Sequence, residues 1–183
     1  MERLKGLLEI FDEKPALWVA LRSIANHPQQ ELAVETPFVD VGSAHALDAS
    51  MLGVSAFQPS SIAPTGRMAH FTSHGEKWRF LRVYDRRIVR RECTPANMFV
   101  AFFVRYSIRL VRTFAFANAH DPEIGEFFPD LLRIVRRLNG VWDTLSDGYK
   151  YAQLREIPLD NQLLQFDPHY HVVLQAYLAC EAL

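Results

Sequence analysis

Arginine is the residue type this chain concentrates most. Arg79, Arg82, Arg86, Arg87, Arg90 and Arg91 fall within thirteen residues, interleaved with Trp78, Phe80 and Tyr84. A guanidinium fork binds carboxylate or phosphate through two parallel hydrogen bonds, which the point charge of lysine does not. Aromatic rings set between such cations suit stacking on unpaired bases. The six arginines with Trp78 and Tyr84 are therefore read as a partner-binding segment. The competing reading is a set of internal ion pairs with the acidic ends of the chain. Net charge does not decide between them, because the overall −1 divides into −3 over residues 1–75, +6 over 76–137 and −4 over 138–183. A basic middle between acidic ends serves an anionic partner or pairs internally.

Histidine offers the second chemistry. His70 and His74 flank Phe71-Thr72-Ser73 just ahead of Gly75-Glu76. With His120 they are the candidate catalytic acid/base groups of an enzyme, and with Glu76 or His120 they compose a conceivable metal set. As solvated loop histidines they would do neither, and no metal site is assigned. His169 and His171 would share an ion on a strand, where alternate residues face one way. Asp167-Pro168 instead marks a helix start, on which positions i and i+2 diverge by about 200°. Nucleophile-elbow, phosphate-loop, dinucleotide and zinc-protease motifs are absent. Cys93 lies near Arg90, Arg91 and a helix start, features that lower a thiol pKa, but lone cysteines are more often packed. The two cysteines form no C-x-x-C pair and no disulfide framework, which fits a reducing cytoplasm.

These residues need elements to hold them. Thr94-Pro95 is a helix start, and no Gly or Pro follows until Pro122. The stretch 95–118 is apolar nearly all round except for Arg105, Arg109 and Arg112 on one stripe, so it reads as the buried central helix. That reading makes Phe102, Phe103, Val104, Ile108 and Leu110 largely inaccessible. The same three arginines exclude a membrane span, since each costs about 2.5–3.5 kcal/mol near the bilayer centre.

Helices are also expected over 2–11, from Pro15 to Asn26, near 44–52, after Asp121-Pro122, from Pro129 to an Asn139-Gly140 stop, over 141–154, and after Asp167-Pro168. The last is expected to bury Tyr170, Val173, Leu174, Tyr177 and Leu178. A short strand is expected at 37–41. Residues 53–75 read as a long loop, and 68–91 as a hairpin in which 77–84 alternates and Ile88-Val89 follows. The first residues form an amphipathic helix without the apolar run of a signal peptide.

The expected fold is α+β and predominantly α-helical, one globular domain over 1–183 with helices packed around 95–118 and a small β-hairpin element. Thirteen phenylalanines predict a large aromatic core or an aromatic-lined pocket. Two functions follow. One is a cytoplasmic, non-enzymatic binding or regulatory protein using the arginine segment on an acidic partner, nucleic acid or protein. The other is a small enzyme with a Phe-rich pocket under the 53–75 loop and His70, His74 and His120 at work. No cofactor is assigned, although a haem variant of the enzyme reading stays open. A homo-oligomer is compatible with either, and a membrane partner with neither.

Overall fold

The computed structural model describes residues 2–12, 14–58, 60–66 and 69–183. In chain order its elements are α1 (Glu2–Phe11), α2 (Pro15–Asn26), β1 (Glu31–Glu35), β2 (Phe38–Asp40), α3 (Leu52–Ala56), β3 (Ile62–Pro64), β4 (Phe71–Ser73), β5 (Glu76–Phe80), β6 (Arg82–Tyr84) and β7 (Arg87–Arg91). Then come α4 (Pro95–Ala117), α5 (Pro122–Gly125), α6 (Phe128–Thr144), α7 (Asp147–Lys150), α8 (Gln162–Phe166) and α9 (Pro168–Glu181). The class is α+β and mostly helical, with small antiparallel sheets. Two compact units divide the chain: a helical unit ending at Glu31 and resuming at Arg91, and a β-rich unit over Leu32–Arg90.

In the helical unit, α4 starts as its sequence dictates. Thr94 accepts a hydrogen bond from the Asn97 N–H at 3.2 Å, and Pro95 occupies the first turn. The helix packs on α6, α7 and α9. Phe99, Val100, Phe103, Val104 and Val111 are fully buried on that side. Burial is one-sided, however, and Phe102, Ile108 and Leu110 are only half-buried. Arg105, Arg109 and Arg112 leave the opposite face in solvent, and in the last turns Phe116 is 87% exposed. The all-round apolar pattern overstated the burial because a helix with neighbours on one side covers only one stripe.

Helix α6 runs through Asn139-Gly140 instead of stopping there, and ends at Thr144. Leu138, Val141 and Leu145 are buried on either side of the glycine. Their burial outweighs the ~1 kcal/mol that a mid-helix glycine costs relative to alanine. A separate helix over 141–154 is thereby reduced to the single turn of α7. Asp167 caps α9, accepting from the N–H groups of His169 and Tyr170 at 2.9 and 3.2 Å, so His169 and His171 do open a helix. Tyr170, Val173, Leu174 and Tyr177 face the core, whereas Leu178 is exposed. Cys93 is exposed, not packed; Cys180 is buried, and burial with the neighbouring Glu181 charge pushes its thiol up to about 12.

The β-rich unit holds three small sheets among the described residues: β1 with β7, β2 with β6, and β3–β5–β4. The expected 53–75 loop is thus interrupted by α3, β3 and β4, with residues 59, 67 and 68 outside the described residues. The hairpin is β4–β5, in register Ser73 opposite Glu76 and Phe71 opposite Trp78. Met68, where the expected hairpin began, also lies outside the described residues. His74 and Gly75 form its two-residue turn with φ of 49° and 81°. Both values belong to the left-handed region that a type I′ turn requires, which explains the glycine at the second place.

The strand alternation over 77–84 is broken at Leu81, and β6 pairs with β2, bringing Phe38 against Tyr84 at a ring separation of 5.0 Å. Asp85 is what turns the chain between β6 and β7. Its carboxylate is fully buried and accepts from the N–H groups of His45 and Ala46 at 3.0 and 2.6 Å and from Arg87 Nε at 2.5 Å. The Ala46 hydrogen bond, followed by Arg87 and the His45 N–H, holds its pKa down at about 2 against the opposing effect of burial. A depressed carboxylate stabilises the fold above its unfolded pKa, near 3.8, and that stability is lost as pH falls toward about 2. The β-rich unit is therefore expected to loosen across that acid window. Asp85→Asn should lower its melting temperature at neutral pH and remove the acid transition from the Asp85-linked amides of His45 and Ala46. An unchanged pH profile of amide exchange in the variant would refute this.

Candidate functional site

The arginines of 79–91 divide into two groups. Arg82 lies 3.6 Å from Asp40, the residue opposite it in the β2–β6 register, and sits over the Phe38 ring at 4.6 Å while donating to the Phe38 carbonyl at 3.0 Å. Arg87 is held by Asp85. Arg91 is also engaged within the chain. By contrast Arg79, Arg86 and Arg90 are exposed and have no carboxylate partner among the described residues. Internal pairing thus accounts for part of the cluster and leaves three cations open to solvent.

The interleaved aromatics are less open than the arginines. Trp78 is half-buried on β5, the middle strand of its sheet, and Tyr84 is half-buried against Phe38. The most exposed apolar residue of this stretch is Ile88, 72% accessible, on the same side of β7 as Arg90 because alternate strand residues share a face. On β1, which pairs with β7, Leu32 and Val34 are likewise exposed.

Two of the three candidate histidines belong to the β-rich unit. His70 accepts from the Phe80 N–H through Nδ1 at 2.9 Å, and its ring stacks on Phe80. His74 forms the hairpin turn, with Nδ1 3.1 Å from the Ser73 hydroxyl. His120 is exposed in the helical unit just after α4. No group of three or more His, Cys, Asp or Glu among the described residues is placed to hold a metal. Among them, too, no helix is long and apolar enough to cross a membrane.

A second cationic surface belongs to the helical unit. Arg105, Arg109 and Arg112 lie one turn apart along α4, all exposed and without an ion pair among the described residues. Arg105 lines two hollows of about 300 Å³ each, one with Phe102, Tyr106 and Arg109, the other with Ile108, Asn139, Trp142 and Tyr151. The nearby Glu181 makes no ion pair with these arginines. It sits by the Tyr106 and Tyr177 phenols, which burial first and its carboxylate second push upward.

Sequence reasoning found this stripe but stopped at Arg112. One more turn reaches Phe116, and the 3.6-residue period that selected the arginines selects it as well. Arg136 on α6, exposed and unpaired among the described residues, had no such signal. No family model, no curated protein and no solved structure matches the chain.

Proposed function

We propose that this is a non-enzymatic binding protein whose 79–91 segment takes up an acidic stretch of another protein. The observation that carries the reading is the exposure of Arg79, Arg86 and Arg90 with no internal carboxylate on them. Protein is favoured over nucleic acid by what surrounds these cations. Stacking on bases needs open aromatic faces, and Trp78 and Tyr84 are half-buried. Exposed aliphatic side chains at Leu32, Val34 and Ile88 suit side chains of a protein instead. Strand β7 belongs to a two-stranded sheet, so one edge lacks a strand partner among the described residues. An extended acidic segment adding there would gain main-chain hydrogen bonds and meet Arg86 and Arg90. The enzyme reading has no observation of this kind behind it.

Fluorescence anisotropy with a labelled peptide alternating Glu and Val tests the proposal, beside a single-stranded oligonucleotide of equal charge. Saturable peptide binding is expected, with Arg86→Gln plus Arg90→Gln weakening it about tenfold. Thermal stability should hardly change, since exposed arginines contribute about 0–1 kcal/mol. Preference for the oligonucleotide, with log affinity falling against log salt at a slope near −3 for about four contacts, would replace the protein partner with nucleic acid. Binding of neither at low salt would end the reading.

A further inference from the structure

An open groove of about 710 Å³ lies between the last turns of α4 and the first half of α6. It is floored by Val111, Leu131 and Val135 and walled by Phe116, Phe128 and Leu132, with Arg112 at its rim. Phe116 and Leu132 are 87% and 53% exposed. The groove does not end at its apolar part. On α4 the residues Arg105, Arg109, Arg112 and Phe116 follow at i, i+4, i+7 and i+11, a single stripe about 16 Å long. On α6, Leu132, Arg136 and Asn139 follow at i, i+4 and i+7, and the two stripes meet at both ends. Leu132 shares the groove with Phe116, and Asn139 shares the hollow with Arg105. Arg136 lies between them on the same stripe and is exposed.

Two antiparallel helices thus present an apolar trough bordered by Arg105, Arg109, Arg112 and Arg136. None of the four has an ion pair among the described residues, and the one acid that continues the α6 stripe is Asp143 at its far end. We infer that this trough is a docking site for an amphipathic helix of a partner protein, with apolar residues on one face and carboxylates beside them. An amphipathic helix lays its i, i+3, i+4 and i+7 anchors into such a groove. The border selects its charge, since arginines without internal acids attract carboxylates and repel cations. A second copy of this chain seated face to face is disfavoured by the same charges. A two-fold contact repeats one patch on both sides and would set the four arginines against themselves. This surface lies wholly in the helical unit and is independent of the reading of 79–91.

The probe is a labelled synthetic helix of about 18 residues, long enough to cover the stripe, with Leu and Phe on one face and Glu elsewhere. A scrambled peptide of the same composition is the control. Saturable binding is expected, weakened at least tenfold by scrambling and by Arg112→Glu with Arg136→Glu, and weakened by rising salt. Leu132→Ser should weaken it severalfold without touching charge, which keeps the test sharp if the double reversal misfolds. In a background carrying Arg86→Gln with Arg90→Gln, which removes uptake of acidic peptide at 79–91, the losses with Arg112→Glu plus Arg136→Glu and with Leu132→Ser should persist. Equal binding of the scrambled peptide would reduce the site to bulk charge and overturn the inference. So would absence of binding, or self-association in sedimentation that Leu132→Ser abolishes. A single-stranded oligonucleotide of equal charge that binds more tightly, with the same sensitivity to the arginine reversals, would make the trough a nucleic-acid track instead.

Discussion

Phe103→Ala is expected to destabilise the helical unit by roughly 3–5 kcal/mol, the range for truncating a large aromatic in a core. Phe103 is completely buried, and its ring stacks on Phe11 at 6.4 Å with an interplanar angle of 20°. Phe11 in turn sits 6.5 Å from Trp18, whose indole N–H donates to the Phe11 carbonyl at 2.7 Å. The truncation therefore leaves a void between α1 and α4 whose walls are tied to a third helix, α2, so collapse around it is restricted. Where surroundings relax little, the cavity penalty adds to the lost transfer energy. Phe116→Ala on the same helix, at 87% exposure, should change stability by no more than about 0.5 kcal/mol. Urea unfolding followed by tryptophan fluorescence reads both variants. A loss below about 1 kcal/mol for Phe103 would mean that α4 is not the core helix. A loss for Phe116 as large as that for Phe103 would mean that its apparent exposure is covered in solution.

Helix starts were the most legible feature because each is written in local chemistry. Thr94-Pro95, Asp121-Pro122 and Asp167-Pro168 all open helices, with the polar side chain accepting a backbone N–H as capping requires. Helix ends were less legible. Asn139-Gly140 has the composition of a stop, but whether a glycine terminates a helix depends on what lies beyond it, and Val141 and Leu145 are core residues. The β segment was recognisable as β from its alternation. Its partners were not, because pairing depends on residues distant in sequence, such as Phe38 with Tyr84 and Leu47 with Asp85. The arginine cluster was visible by count alone. Which arginines face solvent was not, since that turns on Asp85, held by the His45 and Ala46 N–H groups, and on Asp40, set opposite Arg82 by strand register. Nothing local marks a carboxylate as the partner of a guanidinium about forty residues away.

Asn97→Ala is expected to cost about 3–5 kcal/mol, as much as removing a core phenylalanine, although Asn97 contributes little apolar surface. Its side chain is fully buried in the first turn of α4. Nδ2 donates to the carbonyls of Gln29 and Glu92 at 2.8 and 2.7 Å, and Oδ1 accepts from the Tyr170 hydroxyl. That hydroxyl also accepts from the Gln29 N–H at 3.1 Å. Alanine leaves the Gln29 carbonyl and the Tyr170 O–H without a partner and takes one of two from the Glu92 carbonyl, which keeps the Thr94 N–H at 2.8 Å. Each group that stays dry costs about 1–3 kcal/mol, less whatever water enters. Tyr170→Phe leaves only the Asn97 oxygen and the Gln29 N–H unpaired, so about 1–3 kcal/mol is expected. The double variant should fall short of the sum, because the two side chains belong to one network. Gln29 and Glu92 flank the β-rich unit in sequence, where the chain leaves the helical unit and returns. Loss of the network should therefore also accelerate amide exchange at Glu31 and Asn97 ahead of global unfolding. Equilibrium unfolding of the three variants measures the energies, and hydrogen exchange locates them. An Asn97→Ala protein within about 1 kcal/mol of the parent would mean that water replaces the amide at no penalty, and that the two crossings are held by packing alone.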